Sequence, residues 1–306
     1  MLQRLTLAIC ALFLAGSLNA ASSSKVYISQ IVEHPALDST ARGIQDSLKA
    51  EGFDNLDLRL ESAQANPALA AQIASKFVNQ NPGVVVGIGT GSAQSFLPYV
   101  NKQQVALVFS SVTDPKSAGL TQVAGVSNFV ALEPQLALFK KLQPHLKRLG
   151  VLYNPGESNA VSIVQKLSAL CPMLGITLIQ QSANRTAEVA QAATKLAAQV
   201  DAILISNDNT ALSALPSIIQ AANKAKIPVY VSDTDAVAQG ALAALGPDQY
   251  QVGLQTGRMV AKVLRGMPIA EVGIEYPEKT ELYINPKTAK ELNITIPKDL
   301  KFKEAL

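Results

Sequence analysis

Two stretches of this chain follow one plan, and that internal likeness restricts the possible folds more than any single residue does. Within residues 201–235 an apolar, β-branched run ending at Ile205 stops at Ser206-Asn207-Asp208-Asn209. Helical spacing then runs from Thr210 to Ala225, and a second apolar run ends just before Asp233 and Asp235. Within residues 84–114 a Val-rich run stops at Gly89-Thr90-Gly91-Ser92, a helix continues through Tyr99, and a second run ends at Ser110-Ser111-Val112-Thr113-Asp114. Each helix carries a Leu-Pro pair, Leu97-Pro98 and Leu215-Pro216. Unbroken apolar runs suit strands buried on both faces, as in parallel sheets, and polar residues just past such strands line the crevice where ligands bind. The expected fold is α/β: two Rossmann-like lobes with parallel sheets, joined by a hinge.

The 306 residues leave room for two lobes of ordinary size. A hydrophobic share of 48% against 16% charged residues excludes a largely disordered chain. The formal net charge of +3 comes without a Lys/Arg-rich block, so nucleic acid has no electrostatic footprint here. Residues 1–22 read as a secretory signal peptide: Arg4 supplies the positive end, Leu5 to Ala15 the apolar run, and both Ala15-Gly16-Ser17 and Ala20-Ala21-Ser22 fit the small-residue rule for cleavage. That run is shorter than the ~20 residues of a membrane span. The mature protein is therefore expected in the periplasm or at the cell surface. Apart from Cys10 in this leader, the one cysteine is Cys171, on an apolar helical face with Leu167, Leu170 and Leu174, where it reads as a small buried hydrophobe.

Breaks in the pattern divide the rest. Residues 25–127 plus about 247–275 form one expected lobe, and residues 128–246 plus part of 276–306 the other. The aperiodic segment 116–130 is the expected first crossing and Gly246-Pro247-Asp248 the second. In the helix that follows, Gly253 and Gly257 are small enough to allow close packing on a sheet.

The two rims differ in chemistry. At Gly89-Thr90-Gly91-Ser92 the free N–H groups of a helix start attract anions; without the lysine and spacing of a phosphate loop, a carboxylate is the more economical guest. Simple capping by Thr90 and Ser92 fits the same residues. Ser111 adds a hydroxyl, and Asp114 before Pro115 fits a turn. The opposite rim carries Asn159, Asp208 and Asp233, with Asp235 as a turn or cap residue. Buried carboxylates demand partners, and an ammonium would serve. The spacing of these acids is not that of a calcium loop, and His34 has no second His or Cys nearby, so no metal is expected. Two histidines, no G-x-S-x-G elbow and no dinucleotide fingerprint argue for a binding protein without cofactor rather than an enzyme.

The series Glu33-His34-Pro35-Ala36-Leu37-Asp38, Ser111-Val112-Thr113-Asp114-Pro115 with Ala118-Gly119-Leu120, Tyr153-Asn154-Pro155-Gly156-Glu157-x-Asn159, Asp208-Asn209 and Gly246-Pro247-Asp248-x-Tyr250-x-x-Gly253 resembles the substrate-binding proteins of ABC transporters of the tryptophan/tyrosine-binding type. The likeness spans essentially the whole mature chain. It implies a two-lobed periplasmic-binding-protein fold of type I, closing on an amino acid and delivering it to a membrane permease, as a monomer. Carried over by position, Thr90, Ser92 and Ser111 fall near the ligand carboxylate, and Asn159, Asp208 and Asp233 near its ammonium. Leu37 and Phe129 complete the implied ligand-binding set. Ser127-Asn128-Phe129 stands where the family often has a polar Ser-Asp pair, so Phe129 either stacks on an aromatic ligand or holds the hinge. A sugar or nucleoside ligand on the same fold, or a ligand-sensing domain, is the alternative; the absence of Trp weakens stacking on sugars.

Overall fold

The structure is a computed structural model that describes residues 25–102 and 104–305; the signal-peptide reading of residues 1–22 lies outside them. Strands β1 (Lys25–Gln30), β2 (Asp57–Ser62), β3 (Val84–Ile88), β4 (Leu107–Val112) and β5 (Ala124–Ser127) come first. They are followed by β6 (Arg148–Tyr153), β7 (Thr177–Ser182), β8 (Ala202–Ile205), β9 (Val229–Val231) and β10 (Ala243–Pro247). Three more, β11 (Ile274–Glu275), β12 (Thr280–Ile284) and β13 (Lys303–Glu304), end the described chain.

One sheet has the order β2-β1-β3-β4-β5-β11, parallel throughout. The other has the order β7-β6-β8-β9-β10-β12-β13, antiparallel only where β10 meets β12. The repeat seen in two stretches of sequence therefore extends over two five-strand units of identical order. In each unit the strand order reverses beside the first strand, between β1 and β3 and between β6 and β8, which opens a crevice at the carboxyl ends. The chain passes from sheet to sheet after β5, after β10 and after β11. Every residue of β3 and β4 is buried, as their apolar runs require.

Three local expectations change. The segment 116–130 is not aperiodic throughout: β5 lies inside it, paired with β4 and β11, and the chain leaves the first sheet after it. Its Ala-Gly-Val-Ser sequence hides the strand, since a Cβ on Gly125 would lie 2.3 Å from the Phe109 carbonyl oxygen and only glycine fits. The helices expected through Tyr99 and through Ala225 each break at the Leu-Pro pair, giving Thr90–Ser95 then Leu97–Val100, and Asn209–Ser213 then Leu215–Ala225. In both, proline stands in the first turn of the new helix, where its missing N–H costs nothing. Finally, the glycines of helix Gln249–Leu264 face helix Pro35–Ala50 rather than a sheet. A Cβ on Gly253 would lie 2.2 Å from the Thr40 carbonyl oxygen, and one on Gly43 2.3 Å from that of Tyr250, so the two backbones touch.

Candidate functional site

Buried polar residues collect where the two sets of strand ends meet. After β1 the chain turns at His34 into helix Pro35–Ala50; after β3 it enters helix Thr90–Ser95; after β4 come Ser111 and Thr113. From the other sheet come Asn154 after β6, Ser206 to Asn209 after β8, and Ser232 to Thr234 after β9. Asp208 and Asp233 are 1% and 2% exposed, and among the described residues the buried polar and charged ones include no Lys or Arg. Acids without an enclosed counter-cation are the chief electrostatic property of this cleft.

Direct contacts join the two sides. The Asn207 side-chain amide donates to the Thr113 hydroxyl at 3.1 Å and to the Asn128 side-chain oxygen at 3.1 Å. The Ser162 hydroxyl donates to Asp114 Oδ2 at 2.7 Å, and Lys166 Nζ reaches the same oxygen at 3.3 Å. Asp114 also accepts from the Ser117 N–H, so the expected turn is present together with a bridge across the cleft. Burial alone would raise the Asp114 carboxyl; these donors and Lys166 outweigh it and hold it down at about 2.

Each residue singled out from sequence has a definite place. Thr90 is buried, and its hydroxyl forms no hydrogen bond among the described residues. The Ser92 hydroxyl instead meets that of Ser29 at 3.1 Å, under the sheet end. Ser111 takes left-handed backbone geometry, φ 53°, at the irregularity in the β4–β5 pairing. Its hydroxyl donates to Gln249 Oε1 at 2.9 Å and lies 3.1 Å from the Thr40 hydroxyl. Asn159 donates to the Asn207 carbonyl oxygen at 2.5 Å. Asp208 caps helix Asn209–Ser213, accepting from the Ala211 N–H at 2.7 Å, while its second oxygen accepts from the Asn154 N–H at 2.6 Å. Asp233 accepts from Gln249 Nε2 at 2.8 Å. Leu37 is buried beneath Gly89 in the core of the first sheet. Phe129 lies at the edge of the seam with Lys166 Nζ 4.5 Å from its ring centroid, in a cavity of about 400 Å³ that Asp114 and Tyr276 also line.

Two residues of the site were not singled out from sequence. Glu157 accepts from the N–H groups of Asn209 and Thr210, both at 2.9 Å, so two carboxylates crowd one short helix start. Burial first, then the Glu157 charge, pushes the Asp208 carboxyl well above its ordinary range. Gln249 bridges Ser111 to Asp233. Glu157 sat in a quoted loop motif, so its signal was on view; Gln249 follows the Gly-Pro-Asp crossing with no local mark of its own. His34 is buried beside Asn209, and burial pushes its imidazole down to about 4. Cys171 is fully buried, and that burial pushes its thiol up to about 11, in keeping with a packing role. Among the described residues no cluster of His, Cys, Asp and Glu could hold a metal ion, and no helix is long and apolar enough to cross a membrane.

Comparison with known proteins agrees with this geometry. The profile of the family described as ABC transporter substrate binding protein matches residues 25–305. The tyrosine-binding protein of Clostridioides difficile (strain R20291) is 31% identical over 278 residues, covering 87% of this chain and 80% of that protein. Among solved structures, the ABC domain in complex with L-Trp from Streptococcus pneumonia has a TM-score of 0.86 at 31% identity, covering 90% of this chain and 97% of that one. The ligand-free, open structure of a substrate-binding protein with adhesive properties from Clostridium difficile has a TM-score of 0.67 at 30% identity, covering 92% and 98%. The fold, the polar cleft between its sheets and the match over nearly the whole described chain lead to one assignment: this chain belongs to the family of ABC transporter substrate-binding proteins.

Proposed function

We propose that this protein is the extracytoplasmic receptor of an ABC importer and closes on a free amino acid with an aromatic or large apolar side chain. The observation that carries the reading is the pair of buried acids, Asp208 and Asp233, in a cleft without a buried cation. A ligand ammonium supplies the missing charge, and Asn159 completes its surroundings. Across the cleft, the unpartnered Thr90 hydroxyl and the N–H groups beside it receive the carboxylate, with Ser92 and Ser111 shaping that end. Leu37 and Phe129 bound the side-chain end. The L-Trp complex and the tyrosine-binding relative support the aromatic class. Closure moves residues 25–127 plus about 247–275 against residues 128–246 plus part of 276–306, and the closed form is presented to the permease.

Isothermal titration of the mature protein against the common amino acids tests this directly. Binding of an aromatic L-amino acid is expected, with a loss of at least about 100-fold for the analogue lacking the amino group, since a charge-assisted contact is removed and buried acids stay unpaired. Equal affinity for the deaminated analogue, or no binding to any amino acid, would overturn the reading.

A further inference from the structure

The Gln249 side chain sits where three elements converge. Helix Gln249–Leu264 is pressed onto helix Pro35–Ala50 by Gly43 and Gly253, which brings its first residue against Thr40. The left-handed turn at Ser111 aims a second hydroxyl at the same amide. Gln249 Oε1 thus accepts from Ser111 at 2.9 Å and from Thr40 at 3.3 Å, while Nε2 donates at 2.8 Å to Asp233, past the end of a strand in the other sheet. The orientation is fixed chemically, because an ionised carboxylate accepts only and Ser111 has a proton to give, while the Thr40 proton is shared with the Ala36 carbonyl oxygen at 3.1 Å. The residue is 1% exposed, so water does not replace these partners.

We propose that Gln249 is a positioning residue for amine recognition, its amide holding Asp233 ready for the ligand ammonium and tying that end of the site to Ser111 and Thr40 of the opposite sheet. The inference rests on the amino-acid reading above and adds to it the group that sets how well Asp233 can act. Burial first, then the charge of Asp235, pushes the Asp233 carboxyl up to about 7, and the Gln249 amide pulls against both. Asp235 is in turn raised by burial first and then by the charge of Asp248, and lowered by Arg42. A protonated Asp233 cannot pair with an ammonium, so affinity climbs as pH rises through its titration and levels off above. Without the amide donor the anion is less favoured, and that rise moves to higher pH.

The test compares the pH profile of affinity for an aromatic L-amino acid in the wild-type protein and in Gln249→Met, which keeps the volume and removes both hydrogen-bonding ends. Asp208, Glu157 and His34 lie in both proteins alike, so the difference between profiles isolates the amide. The expected result is about a 10-fold loss near neutral pH that narrows toward about pH 8.5, with the midpoint displaced upward. Thr40→Val, which removes one tether of the amide and leaves Gln249 in place, should displace the midpoint in the same direction by less, and it serves if Gln249→Met fails to fold. A loss equal at every pH, or an unmoved midpoint in both variants, overturns the inference and leaves the amino-acid reading standing. Failure of the wild-type protein to bind any amino acid overturns both.

Discussion

At the scale of the residue, the acids of this cleft do two jobs that can be pulled apart. Asp208 holds two backbone N–H groups, of Ala211 at 2.7 Å and of Asn154 at 2.6 Å. Removing the carboxylate leaves both donors buried and unpaired, so Asp208→Ala should cost about 2 kcal/mol of stability, measured by urea unfolding. Asp208→Asn keeps the oxygen that caps Ala211 but leaves the Asn154 N–H facing an amide NH2, and should cost about half of that. If both variants unfold like the wild type, Asp208 is not the cap the geometry makes it. The pair also separates stability from binding, since Asn retains the cap but not the charge an ammonium needs. Asp233 lacks this backbone support and has Gln249 instead, which is why its environment responds to a residue sixteen positions away in sequence.

At the scale of the element, the tightest joint is between helices Pro35–Ala50 and Gln249–Leu264. A methyl group at Gly253 has no room beside the Thr40 carbonyl oxygen, so Gly253→Ala forces the helices apart at the point where Thr40 meets Gln249. The expected cost is about 1–3 kcal/mol, seen as a lower melting temperature, together with weaker amino-acid binding. An unchanged melting temperature would show that the helices yield freely. Most strands were legible because β-branched runs such as those of β3 and β8 have no other use in a chain of this composition. The polar residues beyond them marked the rims for the same reason. β5 was illegible because its small residues answer to contact with Phe109 rather than to hydrophobic periodicity. Gln249 was illegible for a related reason: what makes it matter is Asp233 on one side and Ser111 on the other, and no local pattern records partners held by the tertiary fold.

At the scale of the whole molecule, the two sheets are already bridged by side chains of the protein itself, through Asn207 to Thr113 and Asn128, and through Asp114 to Ser162 and Lys166. These bonds favour the arrangement in which they form, whatever the ligand is. The double variant Asn207→Ala, Asp114→Ala should therefore enlarge the radius of gyration of the unliganded protein in small-angle scattering. It should also weaken ligand binding several-fold through faster release, although Asp114 lies outside the proposed ligand set. Identical scattering in both proteins would mean that the bridges do not bias closure. The path of the chain has a consequence of another kind. The sheet begun by β1 to β5 is finished only by β11, and its helix Gln249–Leu264 is made after all of β6 to β10. Both sheets therefore take their last strands from the end of the chain, β11 for the first and β12 and β13 for the second, while the five-strand unit β6 to β10 is one unbroken segment. Gln249 opens the helix made after that segment, so its bonds to Thr40 and Ser111 join parts of the chain made far apart, and the cleft is assembled from both ends of the molecule.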